Sequence, residues 1–250
     1  MHTVRNVVKR MMKELFMLIP KEIRRKVAKE CVKAEAHEPA RDALCALLNL
    51  DSLIYRITGY KSIEYNGVTH VKHRVTGYHD FFVNRIRSGE QVLDIGCGKG
   101  ELDYEIARKA GGIVVGIDYN DNWLDSAHKN YQHPNLEFIY GDVLKSIPSQ
   151  QFDTIIMSNV LEHIKNRVAF LQKVKDRIRP GRFLFRVPMF NRDWRVALRK
   201  ELGLPYFLDD SHYTEYTQES FLQEMDAAGL RVTHMEIRWG EIWAEAVPDA

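Results

Sequence analysis

A glycine-rich turn in residues 92–100, with the sequence VLDIGCGKG, narrows the possible folds of this chain more than any other segment. A short apolar run ends at Asp94 and Ile95, and three glycines follow within five positions: Gly96, Gly98 and Gly100. Glycine tolerates positive φ and lets the backbone approach a ligand closely. Apolar residues at helical spacing follow in residues 102–110. The turn therefore joins a strand to a helix, as in the nucleotide crevice of an open α/β sheet.

The spacing of the glycines and the charge of Asp94 indicate which ligand fits the turn. Dinucleotide-binding proteins have the pattern Gly-x-Gly-x-x-Gly, with the pyrophosphate on the helix N-terminus, whereas this chain has Gly-x-Gly-x-Gly. The carboxylate of Asp94 would repel a pyrophosphate and attract a cation such as the ammonium of an amino acid. The pattern therefore favours an ammonium-bearing ligand, and an NAD(P)-dependent oxidoreductase stays as the alternative.

Three later segments repeat the arrangement of an apolar strand followed by a polar residue. Residues 113–118 predict a second strand that ends at Asp118, about twenty residues beyond the turn, where an acid typically accepts hydrogen bonds from ribose hydroxyls. Residues 136–140 predict a third strand, which leads to Asp142. Residues 152–164 predict a fourth strand that ends near Ser158.

These segments resemble, in order, the motifs of the class I S-adenosylmethionine-dependent methyltransferases, with residues 92–100 as motif I and residues 152–164 as motif IV. The resemblance runs over about 160 residues, to the C-terminus. It implies an α/β fold with a Rossmann-like seven-stranded sheet that is mostly parallel, with an antiparallel last strand and helices on both faces. It also implies S-adenosylmethionine as the cofactor and S-adenosylhomocysteine as the product.

The resemblance also assigns residues to the cofactor. Asp142 is expected to contact the adenine amino group, Val143 to offer its backbone amide, and Arg74 to pair with the cofactor carboxylate. Cys97 is expected to be a small side chain packed under the cofactor rather than a nucleophile. The complete predicted set is Asp94, Gly96, Cys97, Gly98, Asp118, Tyr119, Asp142, Val143, Ser158, Asn159 and Arg74.

Two histidines are candidate catalytic bases. Methyl transfer is an in-line displacement, and it needs a base only where the acceptor is protonated; histidine suits that task near neutral pH. His163 follows motif IV, and His212 lies in the aromatic-rich segment 189–216, where insertions usually shape the acceptor pocket in this superfamily. The alternative is that these histidines only orient loops. Glu162 with His163 is similar to the pair that binds a divalent cation in some RNA-end methyltransferases, but the sequence offers no evident second pair, so no metal is expected.

The acceptor is less constrained than the cofactor. The aromatic residues of segment 189–216 favour an organic acceptor of moderate size, such as a sugar or glycan, a phenol or a lipid-linked precursor, methylated on oxygen or nitrogen. A protein that binds S-adenosylmethionine but has lost catalysis is a further alternative.

The N-terminal part of the chain predicts a separate helical extension. We expect this extension in residues 1–58 and a methyltransferase domain in residues 59–250, with its core in residues 90–250 and the pocket insertion at about 189–216. Apolar residues recur at helical spacing before and after Pro20 and predict two helices, and a third is expected over residues 38–58. Residues 59–77 read as a polar, turn-rich segment.

Charge is unevenly distributed along the chain. Residues 1–33 hold ten basic and three acidic residues, a net +7, so the rest carries −5 of the total of +2. A basic amphipathic helix binds an anionic membrane surface; alternatively, its apolar stripe packs on the domain or on a second copy in a homodimer. Nucleic acid is not an expected partner, because no aromatic residues are interleaved with the basic ones as in a stacking platform.

The three cysteines and the hydropathy pattern bear on the compartment. Cys31, Cys45 and Cys97 have no metal-binding spacing, and an odd number without a pairing pattern suits a reducing compartment. The longest early apolar run, residues 15–19, is too short for a signal peptide or a membrane span. We therefore expect a cytoplasmic protein, either free or in peripheral contact with the membrane surface.

Overall fold

The computed structural model describes residues 10–11, 13–67 and 69–249, and the chain divides into two compact units, Met1–Lys61 and Ser62–Ala250. In the first unit residues 10–11 and 13–18 are helical, and helix α1 follows at Lys21–Ala34. Part of the helix predicted before Pro20 lies outside the described residues. Helix α2 begins in the first unit and spans Ala40–Asn66.

The prediction of a turn-rich segment over residues 59–77 is wrong for residues 59–66 and 72–76, which are helical. Helix α2 continues through Gly59 to Asn66, and helix α3 spans Lys72–Thr76. One glycine inside a helix costs only about 1 kcal/mol relative to alanine, and a helix of 27 residues tolerates that cost.

The second unit is built on a seven-stranded sheet of order β3-β2-β1-β4-β5-β7-β6. Its strands are β1 Gln91–Ile95, β2 Ile113–Asp118, β3 Leu136–Tyr140, β4 Thr154–Ser158, β5 Arg182–Pro188, β6 Leu230–Arg238 and β7 Glu241–Pro248. Strands β1 to β5 pair in parallel, and β7 is antiparallel to both of its neighbours. The predicted Rossmann-like sheet is thus confirmed. The strand order reverses between β1 and β4, and ligands of such sheets bind beyond the carboxyl ends of the strands at this point.

Apolar side chains cover both faces of the sheet. Val92 of β1 belongs to one hydrophobic cluster and the next residue, Leu93, to another, because successive side chains of a strand point to opposite faces. The surrounding helices are α4 Tyr78–Val83, α5 Glu101–Glu105, α6 Asp121–Asn130, α7 Arg167–Ile178, α8 Trp194–Leu202 and α9 Gln218–Ala227. A π-helical turn at Ile106–Ala110 continues α5.

Helix α9 begins with a reciprocal cap in which Ser220 stands where a capping box usually has Glu or Gln. The Ser220 amide donates to Thr217 Oγ1 at 3.1 Å, and the Thr217 amide donates to Ser220 Oγ at 2.9 Å. The serine hydroxyl therefore completes the capping box in place of a longer side chain.

Candidate active site

The glycine turn lies between β1 and α5, and its three glycines have different constraints. All three have positive φ, at 76°, 59° and 78° for Gly96, Gly98 and Gly100. A Cβ on Gly96 would lie 2.7 Å from Val160, and one on Gly100 would lie 2.3 Å from Phe138, whereas a Cβ on Gly98 would meet nothing within 4 Å. Packing therefore fixes the two outer glycines, and Gly98 faces open space that a ligand can enter.

Asp118, at the end of β2, is joined to this turn by hydrogen bonds. Its Oδ2 accepts from the Gly98 amide at 2.9 Å, and its Oδ1 accepts from the Asn120 amide at 2.9 Å. The buried carboxylate thus holds the turn in place, and each of its oxygens keeps a further lone pair for a ligand hydroxyl.

Asp94 and Asp103 form a buried acidic pair beneath the turn. Asp94 is 2% exposed and its Oδ1 has no hydrogen-bond partner among the described residues; Asp103 of α5 is fully buried. Burial and the neighbouring charges of Asp103 and Asp118 raise the pKa of Asp94 well above its ordinary value. Burial likewise raises the pKa of Asp103. A buried carboxylate without a partner is costly, and an ammonium ligand at this position would satisfy it.

Asp103 was not predicted from the sequence, although the pattern holds a signal for it. It lies three and four residues before Ile106 and Ala107, so it shares their helix face. Both of these residues are buried. A carboxylate on the buried face of a helix is a functional candidate.

Cys97 lies under the turn in a cluster with Leu124, Ala127 and Phe138. Burial and the nearby aspartates raise the pKa of its thiol, and a neutral thiol is a poor nucleophile. The structure thus gives Cys97 the surroundings of a packing residue.

The residues after β2 and β3 are more exposed. Tyr119 projects into solvent. Asp142 is partly exposed: its Oδ2 lies 3.0 Å from Lys145 Nζ, and its Oδ1 accepts from the Leu144 amide. Val143 is partly buried against the core. All three stand at the carboxyl edge of the sheet, on the side of β2 and β3.

Arg74, which was predicted to pair with the cofactor carboxylate, lies beside Asn66 and a separate cavity in this structure. Its Nε donates to Asn66 Oδ1 at 3.3 Å. It lines a cavity of about 440 Å³ together with Glu101 and Tyr104. The residues around that cavity do not include Asp94, Gly98 or Asp118, so this structure does not group Arg74 with the other predicted cofactor residues.

The end of β4 is held by Arg186 of β5, which sequence reasoning missed. Asn159 has a left-handed φ of 59°, and its amide donates to the Arg186 carbonyl at 2.7 Å. The Arg186 side chain donates to both oxygens of Glu241, at 2.7 and 2.6 Å, and to Ser158 Oγ at 3.4 Å. Its guanidinium also stacks 3.8 Å from the centre of the Tyr78 ring. An arginine inside the apolar strand sequence FLFRVP was the available signal.

Beyond β4 the structure brings together Glu162, His163 and His212, which we call the acid–histidine cluster. One ligand atom from each lies within 4.8 Å of the others, and the two imidazole centres are 4.6 Å apart. Burial raises the pKa of Glu162 to about 7, and burial with the charge of His212 lowers the pKa of His163. The two predicted bases therefore belong to one group with Glu162, an acid whose pKa is itself close to neutral pH.

Comparison with known proteins decides the family. A family model described as a methyltransferase domain matches residues 68–235, about two thirds of the chain. The chain belongs to this methyltransferase family.

The relatives of this methyltransferase include ubiquinone biosynthesis O-methyltransferases. That of Coxiella burnetii (strain Dugway 5J108-111) is 28% identical over 159 residues, which cover 57% of this chain and 67% of the relative. That of Shewanella pealeana is 32% identical over 124 residues, which cover 48% of this chain and 52% of the relative. The chain thus spans between half and two thirds of these relatives.

A solved structure shows the same fold at low identity. Magnesium protoporphyrin IX methyltransferase from Synechocystis PCC 6803, with bound S-adenosylhomocysteine, superposes with a TM-score of 0.57 at 20% identity. The match covers 72% of this chain and 85% of that one.

The enzyme depends on S-adenosylmethionine, which supplies a methyl group carried on a sulfonium. The residues of the turn fit this cofactor: Asp94 offers an unpartnered carboxylate oxygen to the ammonium, Gly98 leaves space above the backbone, and Asp118 has free lone pairs for ribose hydroxyls. The alternative of an NAD(P)-dependent oxidoreductase is set aside.

Proposed function

We propose that this methyltransferase transfers the methyl group to a hydroxyl oxygen of a small organic acceptor, with phenolic compounds as the first class to test. The acid–histidine cluster at the carboxyl edge of β4 is the observation that carries the proposal. The relatives from Coxiella burnetii and Shewanella pealeana are O-methyltransferases, which supports the same acceptor atom. Sugar hydroxyls, amines and lipid-linked acceptors are the competing classes.

The cluster suits a hydroxyl acceptor because such a group must lose a proton as it is methylated. A phenol has a pKa of about 10 and is protonated at neutral pH. The lowered pKa of His163 keeps its imidazole neutral at neutral pH, so that it can take up a proton. We assign the role of base to His163 or His212.

The segment between β5 and α9 offers an aromatic surface next to the cluster. The ring centres of Phe207 and His212 are 6.3 Å apart, and those of Tyr206 and Phe207 are 4.5 Å apart. Phe190 contacts Tyr206 edge-on at 6.0 Å. These rings give one wall of an acceptor pocket enough apolar area for a ring-bearing substrate.

An acceptor panel tests the proposal. The full chain is incubated with S-adenosylmethionine and a catechol, a monophenol, a sugar, an amine or a long-chain quinol, and S-adenosylhomocysteine is measured together with the methylated product. We expect methyl ethers of the phenolic acceptors. Loss of a general base typically costs about 10²–10⁴-fold, so His163→Gln or His212→Gln should lower kcat within that range, whereas the exposed His37→Gln should not. Methylation confined to nitrogen, or no turnover with any hydroxyl, would refute the proposal.

We also propose that the first unit contacts an anionic membrane surface. Leu15 and Leu18 are 62% and 81% exposed, and Arg24 and Arg25 follow in helix α1. Among the described residues, no helix has the length and hydropathy of a membrane span.

Vesicle binding separates this contact from the alternative of a homodimer. The chain should sediment with vesicles that contain phosphatidylglycerol and not with pure phosphatidylcholine. The double variant Leu15→Ser, Leu18→Ser should stay in solution. The alternative outcome is a dimer in light scattering that becomes a monomer in the double variant, with no vesicle binding by either protein. That result would show that the apolar residues of this helix contact a second copy of the chain.

A further inference from the structure

The acid–histidine cluster holds a buried carboxyl group that lacks hydrogen-bond partners in the described part of the chain. Glu162 is fully buried, and neither of its carboxylate oxygens accepts a hydrogen bond of normal geometry from any residue in the described part of the chain. Asn159 Oδ1, three residues earlier, is also buried without a partner. Native structures rarely bury such groups unless a ligand or ion completes them.

Both histidines of the cluster are held by the protein through Nδ1. The Ser211 hydroxyl donates its single proton to Asp209 Oδ1. Ser211 Oγ therefore accepts the hydrogen bond from His163 Nδ1, at 2.9 Å. Glu215 Oε1 lies 3.1 Å from His212 Nδ1 and accepts from it. Each ring therefore carries its proton on Nδ1 and leaves the lone pair on Nε2.

The partners of these Nδ1 atoms are themselves held in place. The buried carboxylate of Glu215 also accepts hydrogen bonds from Arg192 and from the Leu208 amide. Metal-binding histidines usually donate their second nitrogen to such a fixed oxygen, which sets the tautomer and the direction of the ligand atom. A histidine that serves only to pack a loop needs no such arrangement.

We propose that Glu162, His163 and His212 bind a divalent transition metal ion such as Mn²⁺ or Zn²⁺, through one carboxylate oxygen and two imidazole nitrogens. One possible ligand atom from each residue lies within 4.8 Å of the others. An ion with bonds of about 2.0–2.2 Å needs ligand atoms no more than about 4.4 Å apart, so side-chain shifts of a few tenths of an ångström complete the site. Three protein ligands leave positions for water and substrate. His163 is exposed and gives the ion a route from solvent.

This inference rests on the proposed function and refines its chemistry. A metal-bound hydroxyl loses its proton at a lower pH than a free one. The acceptor O–H bond breaks and its proton passes to solvent; the oxygen lone pair forms the new C–O bond, and the electrons of the broken C–S bond remain on sulfur. With the ion bound, both imidazoles act as ligands, and the ion replaces them in activating the hydroxyl.

Direct titration with Mn²⁺ tests the site without any acceptor. Binding to the metal-stripped full chain is followed by electron paramagnetic resonance, with Zn²⁺ competing. We expect one saturable site, weakened at least tenfold in Glu162→Gln and in His212→Gln. In Glu215→Gln we expect a loss of about 10–100-fold, the usual effect of a residue that orients a ligand. The exposed His37→Gln is the matched control, and unchanged affinity for S-adenosylhomocysteine shows that the variants are folded.

The outcomes separate this inference from the proposed function. No saturable Mn²⁺ or Zn²⁺ binding, or equal binding in wild type and all variants, overturns the metal site. If turnover of a phenol survives chelation with an unchanged pH profile, the role of the ion in activating the hydroxyl is overturned and the O-methyltransferase proposal stands. Cluster-dependent Mn²⁺ binding without turnover of any hydroxyl supports the site and refutes the proposed function.

Discussion

The buried pair Asp94 and Asp103 makes cofactor binding depend on pH in a defined direction. Both carboxyl groups have a raised pKa, chiefly because burial disfavours their charged forms; that of Asp103 rises to about 7. The ammonium of the ligand binds to an ionised Asp94, so the pair must release a proton on binding. Affinity should therefore rise with pH up to near neutrality. The free protein should lose stability over the same interval, from about pH 4 to about pH 7, because its native state binds more protons than the unfolded chain.

One fully linked proton corresponds to a tenfold change in affinity for each pH unit, about 1.4 kcal/mol. Asp103→Asn removes the charge that helps to raise the pKa of Asp94. The variant should bind the ligand several-fold more tightly near pH 5.5 and show a smaller pH slope. The exposed Asp125→Asn keeps the pair intact and is the matched control.

Calorimetry with S-adenosylhomocysteine in two buffers of different ionisation enthalpy counts the released protons. We expect about one proton released per ligand near pH 6 in the wild type and fewer in Asp103→Asn. The titrations stay below about pH 7, because an α-amino group itself titrates near pH 8. An affinity that is constant from pH 5.5 to 7, with no proton released, would refute the argument that Asp94 and Asp103 are protonated in the free enzyme.

Four further substitutions test three separate parts of the site. Asp118→Ala removes the carboxylate that accepts from the Gly98 and Asn120 amides and that offers its remaining lone pairs to the ribose hydroxyls. It should weaken cofactor binding by about 1.5–3 kcal/mol, and unchanged affinity in calorimetry would remove Asp118 from the site. Gly98→Ala adds a Cβ on the open side of the turn at positive φ and should reduce cofactor affinity more than thermal stability. Gly100→Ala places a Cβ against Phe138 and should mainly lower Tm. A larger loss of Tm in Gly98→Ala than in Gly100→Ala, with cofactor affinity unchanged, would contradict the assignment of Gly98 to the ligand side. Arg186→Met leaves Glu241 without its bidentate partner and should cost about 3–5 kcal/mol in denaturant unfolding; a loss below about 1 kcal/mol would show that the pair is not needed to hold β4 and β5.

The sheet was predictable because its signals are local. Each of the first strands is a short apolar run followed within a few residues by a polar or acidic group. The glycine turn at residues 92–100 identifies the first strand, and the later strands follow it in sequence order. The end of α2 was missed because Gly59 looked like a boundary, while the helix continues to Asn66.

The acid–histidine cluster was not predictable as a unit, because His163 and His212 are far apart in the sequence and only the packing of segment 189–216 brings them together. The pairing of Arg186 with Glu241 depends in the same way on the antiparallel register of β5 and β7. Local patterns do not specify contacts of this kind.

A crystal structure with S-adenosylhomocysteine and a catechol would locate the sulfur and the acceptor together, and would show whether methyl transfer takes place beside the acid–histidine cluster. We predict that the ammonium contacts Asp94 and that the sulfur faces the acid–histidine cluster. A catechol oxygen should then lie within about 3.5 Å of the position of the transferred methyl group. A ligand bound instead in the cavity beside Arg74, or a sulfur that points away from Glu162, His163 and His212, would contradict the account.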